Sequence, residues 1–297
     1  MDSTIWDRFQ YRDGDVVIGA WAKSGSTWVQ QIVGQLILGP DPDFCLSDNS
    51  TWLELRAAPP EDTVLKVAKQ THRRFVKTHL PFDALPYSPK AKYIYLVRDG
   101  RDVVWSLFHH HHNVSDHAYE LLNDSPGLVG PPLERPTNDI RRYWKDWMEK
   151  DGYPFWPYWA HIESWWKERD RPNIMFLHFN DLKSAMVGKM REIAEFIGVD
   201  VRPGDWPELI EYCTFAWMRE HAETVHPEIG TVFKGGSKAF FNRGCNGAWQ
   251  NLLTPEEVAE YEARAVIELG SQCAHWVING GPIAGQGRAP VRLQKAS

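Results

Sequence analysis

The stretch at residues 15–38, DVVIGAWAKSGSTWVQQIVGQLIL, contains a change of period that sets the fold class. Val16, Val17 and Ile18 form a short β-branched apolar run, which reads as a buried strand continuing to Trp21. From Thr27 onward, Trp28, Ile32, Gln35 and Leu36 recur at helical spacing, and Val29, Val33 and Ile37 widen the apolar face. The turn between the two periods is therefore Ala22, Lys23, Ser24, Gly25 and Ser26. Its residue types suit an anion. Gly25 lets backbone approach a ligand, Ser24, Ser26 and Thr27 offer hydroxyl donors, Lys23 adds a positive charge, and the first N–H groups of the helix point outward. An ordinary βα turn capped by Ser26 would share part of this pattern. The convergence of a cation, a glycine and three hydroxyls on one helix N-terminus favours a phosphate cradle instead. It is not a Walker loop, because lysine here precedes the only glycine of the turn.

Further along, AKYIYLV at 91–97 is the clearest strand, and it ends in Arg98, Asp99, Gly100, Arg101 and Asp102. A helix follows, capped by Asp99 or Asp102, with Val103, Val104, Leu107 and Phe108 on its apolar face. Arg98 has the planar fork that fits a phosphate, although an ion pair with a neighbouring acid would also account for it. Ser106 lies two turns on, on roughly the same face. A weaker strand at 74–77 runs into Thr78, His79 and Leu80, at a strand's carboxyl end where ligands of open α/β sheets gather. A lone histidine is usually a hydrogen-bonded loop or core residue; Lys77, two residues earlier on the same face, strengthens a catalytic reading. Residues 52–56 are expected as a short helix, 63–68 as another weak strand, and NIMFLHF at 173–179 as a buried strand followed by a helix over 182–197. Strands alternating with helices predict a parallel sheet with helices on its faces.

Composition narrows the function classes. The chain has 297 residues, 43% of them hydrophobic and 24% charged, enough for a sizeable core, and no linker divides it. Fifteen tryptophans read mainly as large core fillers, with flat apolar cavities as the alternative. A net charge of −6 argues against general nucleic-acid binding. Cys45, Cys213, Cys245 and Cys273 are scattered, as expected for reduced thiols in a cytoplasmic protein. The acidic and arginine-bearing start does not resemble a signal peptide, and no apolar run approaches the ~20 residues of a membrane helix. In the run His109 to His112, helical rotation lets only His109 and His112 share a ligand, with no carboxylate in a matching place, so no metal is expected. Residues 228–247 carry Lys234, Lys238 and Arg243 among five glycines, which fits a loop closing over an anionic ligand. Phe233, Phe240 and Phe241 in the same segment call for burial. The Pro/Gly-rich stretch 123–138 is either a surface segment near the site or a plain connection. A TPEE capping box opens a helix at 254 that Gly270 is expected to end, and a frayed tail is expected over about 280–297.

Four stretches, KSGSTW at 23–28, KTHLP at 77–81, YLVRDGRDVVWS at 95–106 and RGCNGAW at 243–249, together resemble the cytosolic sulfotransferases that use PAPS, 3′-phosphoadenosine 5′-phosphosulfate. The tryptophan-rich helix, residues 173–183 and the TPEE helix are also similar to that family, so the likeness spans nearly the whole chain. The resemblance implies one α/β domain over 1–297, with a central, mainly parallel sheet flanked by helices in a P-loop-like nucleotide-binding fold. It implies that Lys23, Ser24, Gly25, Ser26 and Thr27 take the 5′-phosphosulfate and that Trp28 stacks on adenine. Cys213 and Phe215 would also contact adenine, and Phe179, where the family usually has a tyrosine, would belong to the same cofactor site. Arg98 and Ser106, completed by Arg243 and Gly244, would hold the 3′-phosphate. His79 would be the general base, Lys77 would hold sulfuryl oxygens, and Lys23 would meet the charge that grows on the leaving oxygen; Ser106 is counted with this catalytic set. Departures from the family pattern are Asn242 in place of a cation, Ala248 and Gln250 around Trp249, Phe179 in place of a tyrosine and Cys213 in place of a threonine.

The expected reaction moves a sulfuryl group from PAPS to a hydroxyl of a small phenol or alcohol, releasing 3′,5′-ADP, with no obligatory metal. Phe82, Trp105, Phe108 and Phe240 are the acceptor-pocket candidates nearest in sequence. A P-loop phosphotransferase using ATP and Mg²⁺, or a non-catalytic nucleotide-binding protein, are the alternatives. A homodimer is one option for an oligomeric state that the sequence leaves open.

Overall fold

Five strands build one parallel sheet in the order β2-β3-β1-β4-β5, where β1 is Val16–Ala20, β2 Ser50–Trp52, β3 Phe75–Thr78, β4 Lys92–Val97 and β5 Ile174–His178. The computed structural model describes residues 1–56, 58–124, 131–241 and 244–283. Every residue of β1 and β5 is buried, as expected for strands covered on both faces. Alternation along β1 and β4 divides the core. Val17, Tyr93, Tyr95 and Val97 pack with Trp147, Trp159 and Trp165 on one side; Val16, Ile18, Ile94 and Leu96 pack with Val29, Ile32 and Val33 on the other. Trp165 lies flat on Tyr95, with ring centres 4.6 Å apart. A side chain at Gly19 would meet Trp165 at 2.5 Å, so the strand needs glycine there. Most of the fifteen tryptophans are core, and Trp6, Trp21, Trp147, Trp159 and Trp165 are fully buried.

The first helix is Ser26–Leu38, and Gly25, in a left-handed conformation with φ 106°, is its N-cap. Of the two candidate caps after β4, Asp99 takes the role: its side chain accepts from the Arg101 N–H at the head of the helix Gly100–Asn113. The connections place β1 between β3 and β4. The chain leaves β1 for the β2 edge, returns through β3, and crosses to β4, so the carboxyl ends of β3, β1 and β4 lie side by side at the point where strand order reverses.

Several local expectations are corrected. Residues 63–68 belong to a helix, Pro60–Ala68, not a strand; Thr63 and Val67 are buried one helical turn apart, and proline with two acids opens the first turn. Residues 50–52 form an edge strand followed by turn, where a short helix is expected from sequence over 52–56. The helix expected over 182–197 is two, Phe179–Ser184 and Met186–Ile197. Gly270, non-helical at φ 73°, ends the helix that Pro255 opens, as expected; what the sequence reading lacks is the second helical stretch that follows directly and runs to Asn279. In 228–247, Phe233 and Phe241 are buried and Phe233 bridges to Val114. Asn242, Arg243, residues 125–130 and the tail from 284 lie outside the described residues. No helix among the described residues is long and apolar enough to cross a membrane.

Candidate active site

Three adjacent strand ends deliver the charged groups: the turn after β1 carries Lys23, β3 ends in Lys77, Thr78 and His79, and β4 ends in Arg98. Lys23 itself has a left-handed backbone, φ 64°, which folds the turn back beneath the helix N-terminus. Its ammonium lies 3.1 Å from His110 Nδ1 and 4.6 Å from the centre of the Phe240 ring. Burial, with Lys77 and Arg98 nearby, pushes the Lys23 pKa down to about 7. The Lys77 ammonium sits 4.5 Å from the centre of the Trp52 ring. Burial lowers its pKa to about 8 against the opposing charge of Glu54.

His79 is buried, 4% exposed, between the edge of Trp52 and the ring of Trp156, whose centres lie 4.7 and 5.7 Å away. Its Nδ1 is 2.5 Å from the Ala20 carbonyl oxygen. A carbonyl only accepts, so Nδ1 carries the proton and Nε2 keeps a lone pair. Burial first, then the charge of Lys77, holds the His79 pKa well below the usual value, so the imidazole is neutral near pH 7.

Arg98, also buried, ties the turn to the C-terminal part of the chain. It donates to the Lys23 carbonyl (3.3 Å), the Cys245 carbonyl (2.8 Å) and Asn246 Oδ1 (3.1 Å), and its guanidinium lies 4.5 Å over Phe179. Phe179 meets the edge of Trp28, and the Trp28 indole N–H donates to the Cys213 carbonyl at 2.7 Å. Cys213 thus meets Trp28 through its backbone, while its thiol is core. Gly25 backs onto Phe179 and Gly244 onto Phe215, each at 2.8 Å from where a Cβ would stand. Ser24 and Ser26 are buried at the turn beside Thr27. Ser106 shares a small recess with Lys23, His110, Phe233 and Phe240. Of the four acceptor-pocket candidates, Phe240 reaches Lys23, Trp105 packs on His109, and Phe108 packs on Tyr143. Phe82 instead packs into the core against Tyr93 and Trp165. Arg243 lies outside the described residues.

Four neighbours escaped the sequence reading. His110 entered only as part of a histidine run, Trp52 and Trp156 as ordinary aromatics, and Glu54 not at all. Glu54 is 1% exposed and sits directly behind His79. No group of three or more His, Cys, Asp or Glu side chains arranged to hold a metal occurs among the described residues.

The donor set fits a polyanion. Among the described residues, the direct contacts of Lys23, Lys77 and Arg98 are a histidine, aromatic faces, backbone carbonyls and one amide, with no carboxylate in salt-bridge contact; Glu54 near Lys77, and Asp102 and Asp99 near Arg98, act on them only through space. Two half-buried lysines and a buried arginine in this state, beside a helix N-terminus, favour a ligand bearing several negative charges.

A family model described as the sulfotransferase domain matches residues 13–268. A glycolipid sulfotransferase of Mycobacterium bovis is 30% identical, covering 89% of this chain and 87% of its own. Sulfotransferase 1B1 of Mus musculus is 28% identical, covering 87% and 84%. Among solved structures, mouse sulfotransferase SULT7A1 complexed with PAP superposes with a TM-score of 0.68 at 20% identity, over 92% of this chain and 91% of that one. Retinol dehydratase in complex with androsterone and PAP gives 0.70 at 23%, over 90% and 83%. At those identities the superpositions speak for the fold alone; the family match, over most of the chain, speaks for kinship. The chain belongs to the sulfotransferase family.

Proposed function

We propose that the protein transfers the sulfuryl group of PAPS to a hydroxyl of a small aromatic or apolar acceptor in the cytoplasm, with His79 as general base and 3′,5′-ADP as the second product. The observation that carries this reading is the His79 imidazole, held neutral with its lone pair on Nε2 between two aromatic rings and close enough to Lys77 and Lys23 to feel both charges. Bound PAPS would supply an activated sulfuryl group on a phosphate leaving group. Lys23, Ser24, Gly25, Ser26 and Thr27 would hold its 5′ end, Trp28, Phe179, Cys213 and Phe215 its adenine, and Arg98, Ser106, Arg243 and Gly244 its 3′-phosphate.

The chain's own groups then divide the work. Nε2 of His79 takes the proton of the acceptor hydroxyl as oxygen becomes the nucleophile. Its proton affinity is lowest while the lysine charges are unopposed, and rises once negative charge sits on Lys23 and Lys77, so the base strengthens when the site is filled. Lys23 neutralises charge at the leaving oxygen and Lys77 orients the transferring group, both already in place before reaction. These cations make a metal ion unnecessary in this reading. The relatives named glycolipid sulfotransferases make sugar hydroxyls worth including among acceptors.

Thermal shift with 3′,5′-ADP, with ADP, and with ATP plus Mg²⁺ tests the donor. Stabilisation chiefly by 3′,5′-ADP is expected, and stabilisation only by ATP with Mg²⁺ would overturn the reading. Release of 3′,5′-ADP from PAPS is then followed with phenols, alcohols and sugar head groups, with and without EDTA. His79→Ala should keep the thermal shift and lose about 100-fold or more in turnover. Undiminished turnover removes the assigned base.

A further inference from the structure

We propose that Glu54 is the positioning residue of this centre: its buried carboxylate fixes the His79 backbone, holds Trp52 beneath the Lys77 ammonium, and supplies the negative charge that keeps that ammonium in a dry site. The inference rests on the sulfuryl-transfer reading for its kinetic consequences, but not for its geometry. Glu54 Oε1 accepts from the His79 N–H at 2.5 Å, the Trp52 indole N–H at 2.8 Å and the Thr78 hydroxyl at 3.0 Å. Oε2 accepts from the Trp6 indole N–H at 3.0 Å. Three of the four donors are N–H groups that cannot accept, an arrangement that suits a carboxylate: burial raises the Glu54 pKa, and the bonds from His79, Trp6 and Trp52 oppose that rise by favouring the charged form.

Two of those donors belong to the working groups themselves. The His79 N–H anchors the residue whose imidazole is pinned at its other end by the Ala20 carbonyl, so backbone and ring are both fixed. Trp52 faces Lys77 across the β2–β3 pairing, where the two are in register, and its ring carries the lysine ammonium while its edge meets His79. One carboxylate therefore orients base and cation through a single indole. The other charged or titratable groups around Lys77 are Lys23 on the β1 turn, His79 itself, His110 on the helix Gly100–Asn113, and His226. All are basic. Glu54 is the acid that raises the proton affinity of Lys77 against burial.

A carboxylate placed only to tie Trp6 to the sheet would support folding but not the titration of Lys77. The test is Glu54→Gln. In the unliganded protein, the titration midpoint of Lys77 is followed by NMR of labelled lysine, assigned with Lys77→Arg. It should move to lower pH by about one pH unit. In turnover, kcat should fall roughly 30-fold while affinity for 3′,5′-ADP stays within about threefold, and the alkaline limb of the kcat profile should move down with the midpoint. An unmoved midpoint overturns the proposal, whatever happens to stability. If Glu54→Gln does not fold, Trp52→Leu and Trp52→Phe replace it: the leucine should lower the Lys77 midpoint and kcat, and the phenylalanine should restore most of both. A wild-type midpoint in Trp52→Leu is the overturning result there. Absence of any PAPS turnover in the wild-type protein would refute the functional reading, while the midpoint would still decide the role of Glu54.

Discussion

The Lys23 ammonium and His110 Nδ1 are 3.1 Å apart, a lysine of lowered proton affinity resting on a histidine that burial keeps neutral. A charged lysine only donates, so His110 accepts at Nδ1 and carries its proton on Nε2. With the Lys23 pKa pushed down to about 7, the free site is partly uncharged at pH 7.5, whereas a bound anion restores the charge. Binding of 3′,5′-ADP at pH 7.5 should therefore take up between about half and one proton, and affinity should fall as pH rises from 7 to 9. Calorimetry in buffers of different ionisation enthalpy measures the uptake. His110→Phe removes the acceptor, lowers the Lys23 pKa further, and should increase uptake measured at pH 6.5. Buffer-independent binding enthalpies would show that Lys23 is charged before the anion arrives.

Arg98 links the β1 turn to residues 245 and 246 by three separate N–H bonds, a geometry that an ammonium cannot reproduce. If its outer face also meets a 3′-phosphate, Arg98→Lys should weaken 3′,5′-ADP by roughly 30-fold and ADP by less than about threefold. Titration of both nucleotides gives the ratio. Equal losses would place Arg98 in the scaffold and take the 3′-phosphate elsewhere.

The charged strand ends were legible because each closes a strand pattern, plain at 16–21 and 91–97 and weaker at 74–77, where Lys77 beside His79 adds to the signal. Lys23, His79 and Arg98 stand where the period changes or a strand stops, and parallel sheets gather ligands there. Glu54 was not legible, since its four donors come from positions 6, 52, 78 and 79 and only the folded sheet brings them together. His110 was hidden for a different reason. Helical rotation identifies which members of the histidine run share a face, but not that His110 is turned toward the β1 turn. The segment 63–68 resembles a strand because Thr63, Val64 and Val67 are β-branched, while the buried pair Thr63 and Val67 has helical spacing.

Gly25 is the tightest point of the cradle. A methyl group there would stand 2.8 Å from Phe179 Cδ2, and the φ of 106° is costly for any other residue. Because Phe179 carries the Arg98 guanidinium, displacing its ring disturbs both ends of the site. Gly25→Ala should cost about 1–3 kcal/mol in stability and about tenfold or more in nucleotide affinity. Adding Phe179→Leu should recover part of the stability by relieving contact, leaving the backbone cost. Urea midpoints of the two variants separate these contributions; a fully stable Gly25→Ala would mean that the turn is free to rearrange.

Buried histidines set the acid limit of the fold. Burial pushes the pKa values of His111 and His161 down to about 3 and that of His226 down to about 4. Each folded value lies below the unfolded one near ~6.5, so the unfolded chain binds more protons once pH drops below that point. Their contribution is complete above about pH 6.5 and is lost as pH falls toward the folded values, at up to about 1.4 kcal/mol per pH unit for each histidine. The window lies above that of ordinary carboxylates, near pH 4. Urea midpoints should accordingly be level from pH 8 to 7 and fall steeply between pH 6.5 and 5. His111 engages the Tyr119 hydroxyl through Nδ1 at 2.5 Å, a bond that glutamine can imitate without titrating. His111→Gln should therefore reduce the steepness by one histidine's share while leaving the plateau lower or unchanged. A midpoint that stays level down to pH 5 would mean that these imidazoles charge as easily inside the fold as in water.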